Sequence, residues 1–458
     1  MIEPGLRRMA WVLIVGALAP LLDTTVVNVA VDELGRELNA PVSAVQWVVT
    51  GYLLALSMAV PLSGWAARRW GARRVWIASL AMFVAGSVAA GLAWDIGSLI
   101  AFRVLQGVGG GLLQPIVTTL LVGAAGGRNL GRLMATVTLP AVVVPVLGPA
   151  AGGLIVDALG WRWVFLVNVP LCLVAIALAV RYLPVVPPDV RRPRLDVLGL
   201  ALLSPGLAAL AYGLSEAGGQ GGFSGAAVLG PVVTGAVLVV AYCLHALRSR
   251  REPLVDLRPL RARSFAAATG LLWFSGVAMY GAMLLLPLYY QRERGADALA
   301  AGLLLAPQGI GSLLPRTFAG RLADRIGARP VVLAGVALTA LGTLAFTQAG
   351  PGTGDVLLAG ALVIRGAGMA AVTVPVLAAA FDGLPPEQVP HASGTVRIVQ
   401  QLGGSFGTAV LAAILAWTGT FAAAFWWAFG LTVVAALPAL LLRGRADLSP
   451  AAAPEARA

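Results

Sequence analysis

Residues 64–73 read GWAARRWGAR, and residues 320–329 read GRLADRIGAR. The two stretches are identical at six of ten positions and begin 256 residues apart. Residues 105–109 (LQGVG) and 364–368 (IRGAG) form a second similar pair, 259 residues apart. Two near-equal offsets predict two homologous halves with the same orientation. The alternative is chance recurrence of glycine and arginine in a chain rich in both.

The residues around these repeats are strongly apolar. Of 458 residues, 59% are hydrophobic and 11% are charged, whereas a soluble domain carries about 25% charged residues. Lipid is therefore expected to surround most of the chain. Because an apolar run of about 20 residues crosses a bilayer, the sequence predicts an all-α polytopic membrane protein. The fourteen predicted transmembrane spans are 10–31, 44–66, 75–93, 98–123, 133–159, 163–183, 197–214, 226–247, 265–289, 298–319, 331–347, 356–381, 393–417 and 421–442.

The repeat divides these spans into two six-helix bundles with two extra central helices. The N-terminal bundle is predicted to cover residues 1–183, and the C-terminal bundle residues 265–442. Residues 184–264 are predicted to hold the two inserted helices with their flanking cytoplasmic linkers. Residues 443–458 are predicted to form a cytoplasmic tail. The first apolar run continues past Pro20, so it is expected to remain as a helix and not to be cleaved as a signal peptide.

Arginine supplies all of the basic charge, since the 32 Lys+Arg residues include no lysine. With the N-terminus in the cytoplasm, 24 arginines fall on the cytoplasmic side and four in outer loops. This asymmetry follows the positive-inside rule and places both termini in the cytoplasm. The basic segments 184–196 and 248–264 are expected to contact anionic membrane lipids and not nucleic acid. Four arginines lie within spans: Arg103, Arg316, Arg365 and Arg397.

Several function classes lack the residues that they need. A phosphate-binding loop of the GxxxxGK[ST] type requires a lysine, so ATP drive from within this chain is excluded. Cys172, Cys243, His245 and His391 form no cluster with acids, so no metal site is predicted, and both cysteines are expected to be unpaired. The spans lack the clustered groups of an intramembrane enzyme. The sequence therefore predicts neither an enzyme nor a cofactor.

Asp23 is the one acid predicted deep within a span. It lies about 14 residues into the first span, roughly 21 Å from its start at about 1.5 Å per residue. Intramembrane acids are costly and usually face a cavity, and burial disfavours the charged form. Asp23 is therefore predicted to carry a proton or to pair with a cationic substrate, the alternative being a structural hydrogen bond. Arg103, which keeps its proton, is predicted to sense a nearby acid or to snorkel to the interface.

Polar and aromatic side chains within the spans could line a path for a substrate. The candidates are Asn28, Gln114, Trp273, Tyr280 and Gln308. Hydrogen bonding between helices is the alternative use of the amide side chains.

Several stretches resemble motifs of the major facilitator superfamily, specifically its fourteen-span drug:proton antiporters of the EmrB/QacA type. Together they cover nearly the whole chain. The stretches are LDTTVVNVA at 22–30, the glycine–arginine loops at 64–73 and 320–329, RVLQG at 103–107, GPAAGG at 148–153, and the runs 161–170 and 397–407. One position departs from the pattern. Arg68 stands where the family usually has the acid that the second copy keeps as Asp324, so the first loop is expected to mark topology and not to form a charge latch.

The resemblance implies a monomeric, proton-coupled antiporter of the cytoplasmic membrane. It would export small lipophilic or cationic drugs, antibiotics or metabolites by alternating access, with Asp23 and Arg103 coupling protons to export. An uptake permease or facilitator on the same fold is the alternative. The residues of the conformational motifs would be Gly64, Gly71, Arg73, Gly148, Pro149, Gly152, Gly153, Gly320, Asp324, Arg325, Gly327 and Arg329.

Overall fold

The computed structural model describes residues 4–27, 30–125, 133, 136–137, 140–185, 193–217, 225–249, 252–296, 298–313, 315–382, 384–385 and 388–442. Every regular element in these ranges is helical, as the sequence predicts. A helix pairs its backbone N–H and C=O groups internally, which a chain surrounded by lipid requires.

The helices follow one another with short connections. The first part of the chain forms α1 (Pro4–Val26), α2 (Val31–Glu37), α3 (Val42–Ala59), α4 (Leu62–Trp70), α5 (Ala72–Gly91), α6 (Ile96–Ala125), α7 (Pro140–Leu159), α8 (Arg162–Leu166) and α9 (Asn168–Tyr182). The central part forms α10 (Val197–Ala217) and α11 (Ala226–Arg248). The last part forms α12 (Arg263–Leu288), α13 (Ala298–Leu313), α14 (Arg316–Ile326), α15 (Ala328–Thr347), α16 (Asp355–Phe381), α17 (Val389–Thr418), α18 (Phe421–Val434) and α19 (Ala436–Ala439).

The two glycine–arginine stretches have the same local structure. Gly71 separates α4 from α5 with a φ of 88°, and Gly327 separates α14 from α15 with a φ of 90°. A positive φ is open to glycine at little cost and strained for other residues. The shared chain reversal explains why glycine occupies the same position in both copies.

The structure supports a polytopic membrane protein but not the full predicted number of spans. Within the described residues, 11 helices are long and apolar enough to cross a membrane, or up to 12 if α3 and α4, which meet at a bend of 55°, form one span. The predicted spans 133–159 and 298–319 are the two that are not among them. The second of these is divided between α13, which has 16 residues, and α14, so a break interrupts the run that the sequence predicted as continuous.

The two halves share a hydrophobic core at one end of the bundle and have separate cores at the other. The shared core includes Trp76 of the first half and Phe265 and Ala392 of the second. At the opposite end, the first half packs around Trp161 and the second around Tyr289. The bundle is therefore closed at the end that carries the arginine-rich loops.

The central helices bind to both halves. α10 and α11 pack along each other, and α10 also lies against α3 and α17. The Ser204 hydroxyl of α10 donates to the Met58 carbonyl of α3 at 2.8 Å. Near the end of α11, the Tyr242 hydroxyl donates to the Val255 carbonyl at 2.7 Å. The inserted helices α10 and α11 thus pack where the two halves meet.

Candidate functional site

Asp23 is buried at the end of α1, with 1% of its surface exposed. The helix ends at Val26, so the predicted span 10–31 is too long by five residues at this end. Asp23 consequently lies in the last turn of the helix, nearer to one end of the bundle than the sequence predicted. Its burial nevertheless agrees with the prediction of an enclosed acid.

Three side chains from two other helices donate hydrogen bonds to the Asp23 carboxylate. Arg103 Nη1 of α6 lies 2.6 Å from Oδ2. On Oδ1, Gln106 Nε2 of α6 lies at 2.9 Å and Asn168 Nδ2 of α9 at 3.2 Å. Because all three partners are donors, this arrangement suits the ionised carboxylate.

A fourth helix completes the cluster through Ser87 of α5. Gln106 Nε2 lies 2.7 Å from the Ser87 hydroxyl, and Asn168 Nδ2 lies 3.5 Å from it. Ser87, Gln106 and Asn168 are all at most 1% exposed. The polar cluster therefore ties together α1, α5, α6 and α9 in an otherwise apolar bundle.

Arg103 is also held by groups other than the acid. Its Nε donates to the Val48 carbonyl at 3.1 Å, and its Nη1 donates to Gln106 Oε1 at 2.7 Å. The guanidinium lies 4.1 Å from the centre of the Tyr52 ring and 5.6 Å from that of Phe165. Such cation–π contacts stabilise a buried cation. Arg103 can therefore keep its position if Asp23 takes up a proton.

The helix that carries Arg103 starts at a capped end. The Ser98 backbone N–H donates to Asp95 Oδ1 at 2.7 Å, and the Asp95 N–H donates to the Ser98 hydroxyl at 3.2 Å. These reciprocal bonds satisfy free donors at the helix start. The bonds from Ser98 also hold the pKa of the Asp95 carboxyl below its usual value.

Sequence reasoning found the two charged members of this cluster but missed the neutral ones. Gln106 and Asn168 stand within recognised motif stretches, yet no role was predicted for either. Ser87 and Tyr52 carried no signal beyond being polar in apolar runs. The sequence held one signal for Gln106. It lies three residues after Arg103, so the two side chains share one helix face.

The predicted substrate-path residues are not gathered around Asp23. Trp273 is partly buried and packs against Phe274 and Phe406 at ring-centre distances of 4.9 and 5.2 Å. Tyr280 lies against Gly404 of α17. These aromatic residues therefore form part of the packing between α12 and α17.

The predicted amides have separate surroundings. Gln308 Oε1 accepts a hydrogen bond from Arg365 Nη1 at 2.8 Å. Gln114 is partly buried in α6, and Asn28 lies outside the described residues. The Gln308 contact fits the alternative of interhelical hydrogen bonding.

Two of the predicted motif glycines allow α7 to approach α1. A Cβ at Gly148 would overlap the Thr25 hydroxyl, and one at Gly152 would lie 3.2 Å from Val26 Cα. No neighbouring atom lies within 4 Å of the Cβ position of Gly153, so that glycine does not serve this contact. Pro149 is in α7, but its side chain lies outside the described residues. Gly148 and Gly152 thus bring α7 onto the turn of α1 that contains Asp23.

The first glycine–arginine loop contacts the second half directly. A Cβ at Gly64 would lie 3.2 Å from the Pro390 carbonyl and from His391 Cα. Arg68 Nη1 lies 2.8 Å from His391 Nε2, and its Nη2 lies 3.0 Å from Glu252. The expectation that this copy only marks topology is therefore too narrow, since Arg68 joins both halves and the central linker.

The remaining loop residues have simpler surroundings. Arg73 Nη2 donates to the Val180 carbonyl at 2.6 Å. In the second copy, Gly320 is buried, and Arg325 and Arg329 are exposed. The Asp324 side chain lies outside the described residues, so its predicted role stays a prediction.

No cluster of three or more His, Cys, Asp or Glu residues suited to a metal ion occurs in the part of the chain that the structure describes. Cys172 and Cys243 are both free.

Comparison with known proteins identifies the fold and its relatives. The family model for the Major Facilitator Superfamily matches residues 13–275 and, a second time, 268–458. A "Multidrug resistance protein B homolog" of Mycobacterium tuberculosis is 38% identical over 416 residues, which are 90% of this chain and 77% of that protein. "Lincomycin resistance protein LmrB" of Bacillus subtilis is 29% identical over 402 residues, which are 86% of this chain and 82% of that protein.

Solved structures share the architecture at low sequence identity. The human organic anion transporter MFSD10 has a TM-score of 0.66 at 20% identity and covers 96% of this chain and 100% of its own. The proton:xylose symporter XylE has a TM-score of 0.66 at 15% identity and covers 95% of each chain. These likenesses show the fold alone.

Proposed function

Because this chain belongs to the major facilitator superfamily, we propose that it exports small drug-like molecules in exchange for protons. The observation that carries the proposal is the buried ion pair between Asp23 and Arg103, 2.6 Å apart. The relatives named for multidrug and lincomycin resistance support the direction of transport. The substrates would be lipophilic or cationic drugs, antibiotics or metabolites.

Protonation of Asp23 would supply the coupling. In the ionised form, the carboxylate and its three donors hold three helices together, and Ser87 links the cluster to a fourth. A proton on Oδ2 converts that atom from an acceptor into a donor and opposes the bond from Arg103, which has only donors. The two protonation states would therefore favour different helix arrangements, and such a difference in free energy is what coupling requires.

The conformation of the bundle fits the proton-accepting step. The halves share a core at the arginine-rich end and have separate cores at the end near Asp23. With the arginine-rich end in the cytoplasm, this is an outward-facing state. Asp23 would then exchange protons with the outer solution, where respiring cells maintain the higher proton concentration.

The topology that accompanies this function has fourteen spans and cytoplasmic termini. α7, with 20 residues, and the broken pair α13 and α14 would supply the two spans beyond the twelve. The inserted helices α10 and α11 would leave the two bundles parallel. The protein would act as a monomer, with its basic linkers on anionic lipid.

The test is substrate transport in inverted membrane vesicles that contain the protein. An imposed pH gradient, acidic inside, should drive accumulation of a fluorescent lipophilic dye, and a protonophore should abolish it. Vesicles carrying Asp23→Asn at equal expression should show no gradient-driven accumulation. Transport that is unaffected by the protonophore would contradict proton coupling, and gradient-driven movement of the dye in the opposite direction would indicate an uptake permease.

A further inference from the structure

The second half of the protein contains a copy of the Asp23 cluster that lacks its acid. Residue offsets of 256 to 259 relate Ser87 to Thr343 and Gln106 to Arg365. These residues lie on α15 and α16, which pack together as α5 and α6 do. The same range of offsets relates Asp23 to positions 279–282 of α12, which read MYGA. The copy therefore has a cation but no carboxylate.

Arg365 is buried among neutral groups. Only 4% of its surface is exposed. Its Nε donates to the Thr343 hydroxyl at 3.2 Å, and its Nη2 donates to the Ala278 carbonyl at 2.9 Å. Its Nη1 donates to Gln308 Oε1 at 2.8 Å and contacts the Met369 sulfur at 3.6 Å. In the described parts of the chain, none of the ion pairs includes Arg365.

This arrangement leaves the charge of the guanidinium uncompensated. An arginine carries five N–H donors and keeps its charge, whereas its partners here are dipoles. Taking an ion out of water is costly, and only a counter-charge with good geometry offsets most of that cost. In the first half, Asp23 supplies the counter-charge to Arg103 at 2.6 Å. Among the described residues of the second half, Arg365 has no equivalent counter-charge.

A small cavity lies beside Arg365, on the side where the acid is missing. Its wall includes Ala282, within the region of α12 equivalent to Asp23, and Ala278, directly before that region, together with Thr343 and Thr432. The remaining wall is apolar. The space admits about one water-sized particle, so it is too small for a drug-like molecule and can hold no more than one monatomic ion.

We propose that this cavity binds one small monovalent anion, of the size of chloride, as the counter-ion of Arg365. The anion occupies the place that the carboxylate of Asp23 has in the first half. It neutralises the charge of Arg365, which otherwise has no counter-charge among the described residues around it. The site differs from the proton-coupling cluster and does not depend on the proposed transport function.

The test is thermal unfolding of the purified full-length protein in detergent. Sodium chloride is titrated against sodium gluconate at constant ionic strength, because gluconate is too large for the cavity. Since a ligand that binds only the folded state stabilises it, we expect a saturable rise of a few degrees in unfolding temperature. The same temperature at every chloride concentration would overturn the proposal.

Two substitutions make the test specific. Arg365→Gln removes the charge and should abolish the chloride-dependent shift. Ala278→Asp supplies a carboxylate next to Arg365 and should give a protein whose unfolding temperature no longer depends on chloride. Arg316→Gln is the matched control, because Arg316 is also a buried arginine, with Nε and Nη1 lacking hydrogen-bond partners, but does not line the cavity.

The control should keep the full chloride response. A response lost in Arg316→Gln and kept in Arg365→Gln would place the anion elsewhere and overturn the proposal. If Arg365→Gln fails to fold, crystals of the unmodified protein grown in bromide decide the question. An anomalous peak beside Arg365 supports the site, and its absence from a bromide-containing crystal contradicts it.

Discussion

At the residue scale, the proposed proton coupling depends on the charge of Asp23. We expect Asp23→Asn to fold and insert, because asparagine keeps the size of the side chain and its oxygen can accept the two hydrogen bonds that Oδ1 receives. It should lose gradient-driven efflux, since it cannot alternate between two charges. Efflux in vesicles is the measurement, and Asp95→Asn, an exposed acid that caps α6, is the control. Near-normal pumping by Asp23→Asn would show that the proton is carried elsewhere.

The ion pair also predicts a stability effect. Arg103→Gln leaves a buried carboxylate without its cation, and breaking a buried pair in this way costs about 3–5 kcal/mol. The double variant Asp23→Asn/Arg103→Gln removes both charges and should regain most of that loss. Thermal unfolding in detergent of the two single variants and the double variant measures the coupling. Additive losses would mean that the two side chains do not interact in the folded protein.

The residue scale shows how far sequence reasoning reaches. Asp23 and Arg103 could be singled out because a charged side chain within a membrane is energetically costly and usually has a function. Gln106, Ser87 and Asn168 could not, because neutral polar residues are common in membrane helices and their meeting depends on the packing of four helices. The contact of Arg68 with His391 could not be predicted, because the two residues are 323 positions apart in the sequence.

At the element scale, the contact between α1 and α7 depends on the absence of a side chain. Gly148→Leu would overlap the Thr25 hydroxyl and push α7 away from the turn that holds Asp23. Overpacking of this kind costs about 1–3 kcal/mol, and we expect loss of efflux with reduced thermal stability. A Cβ at Gly153, on the same helix, meets no atom of the described residues within 4 Å, so Gly153→Leu should behave as the unmodified protein. Equal effects of the two substitutions would argue against the close approach.

The helices themselves were largely predictable, whereas their interruptions were not. Long apolar runs gave the correct helix positions, but the end of α1 at Val26 and the break between α13 and α14 were missed. Hydrophobicity indicates that a segment prefers lipid, but it does not indicate where the backbone turns within the membrane. The interruptions at Gly71 and Gly327 have a local sequence signal, because a positive φ favours glycine.

At the scale of the whole molecule, closure of one end predicts a specific cross-link. A Cβ at Gly394 would lie 3.4 Å from the Ser63 hydroxyl, so cysteines at these two positions should form a disulfide between the halves. We expect Ser63→Cys/Gly394→Cys, made in a background with Cys172 and Cys243 replaced by alanine, to cross-link under oxidation and to stop efflux. Reduction should restore transport, and each single cysteine variant is a control. Continued efflux by fully cross-linked protein would contradict the alternating closure of this end.

The position of Asp23 has an electrical consequence. Asp23 lies three residues before the end of α1, about 4.5 Å along the helix, and its pair with Arg103 is neutral while the carboxylate is ionised. In the proposed orientation, a proton arriving from outside would therefore cross little of the membrane voltage, and it would leave the cluster with a net charge of plus one. Moving one charge across the membrane potential involves about 2.3 kcal/mol per 100 mV. An interior-negative voltage would thus act mainly on the conformational change that brings protonated Asp23 from the outer side to the cytoplasmic side. This conformational change would be the voltage-sensitive part of the cycle.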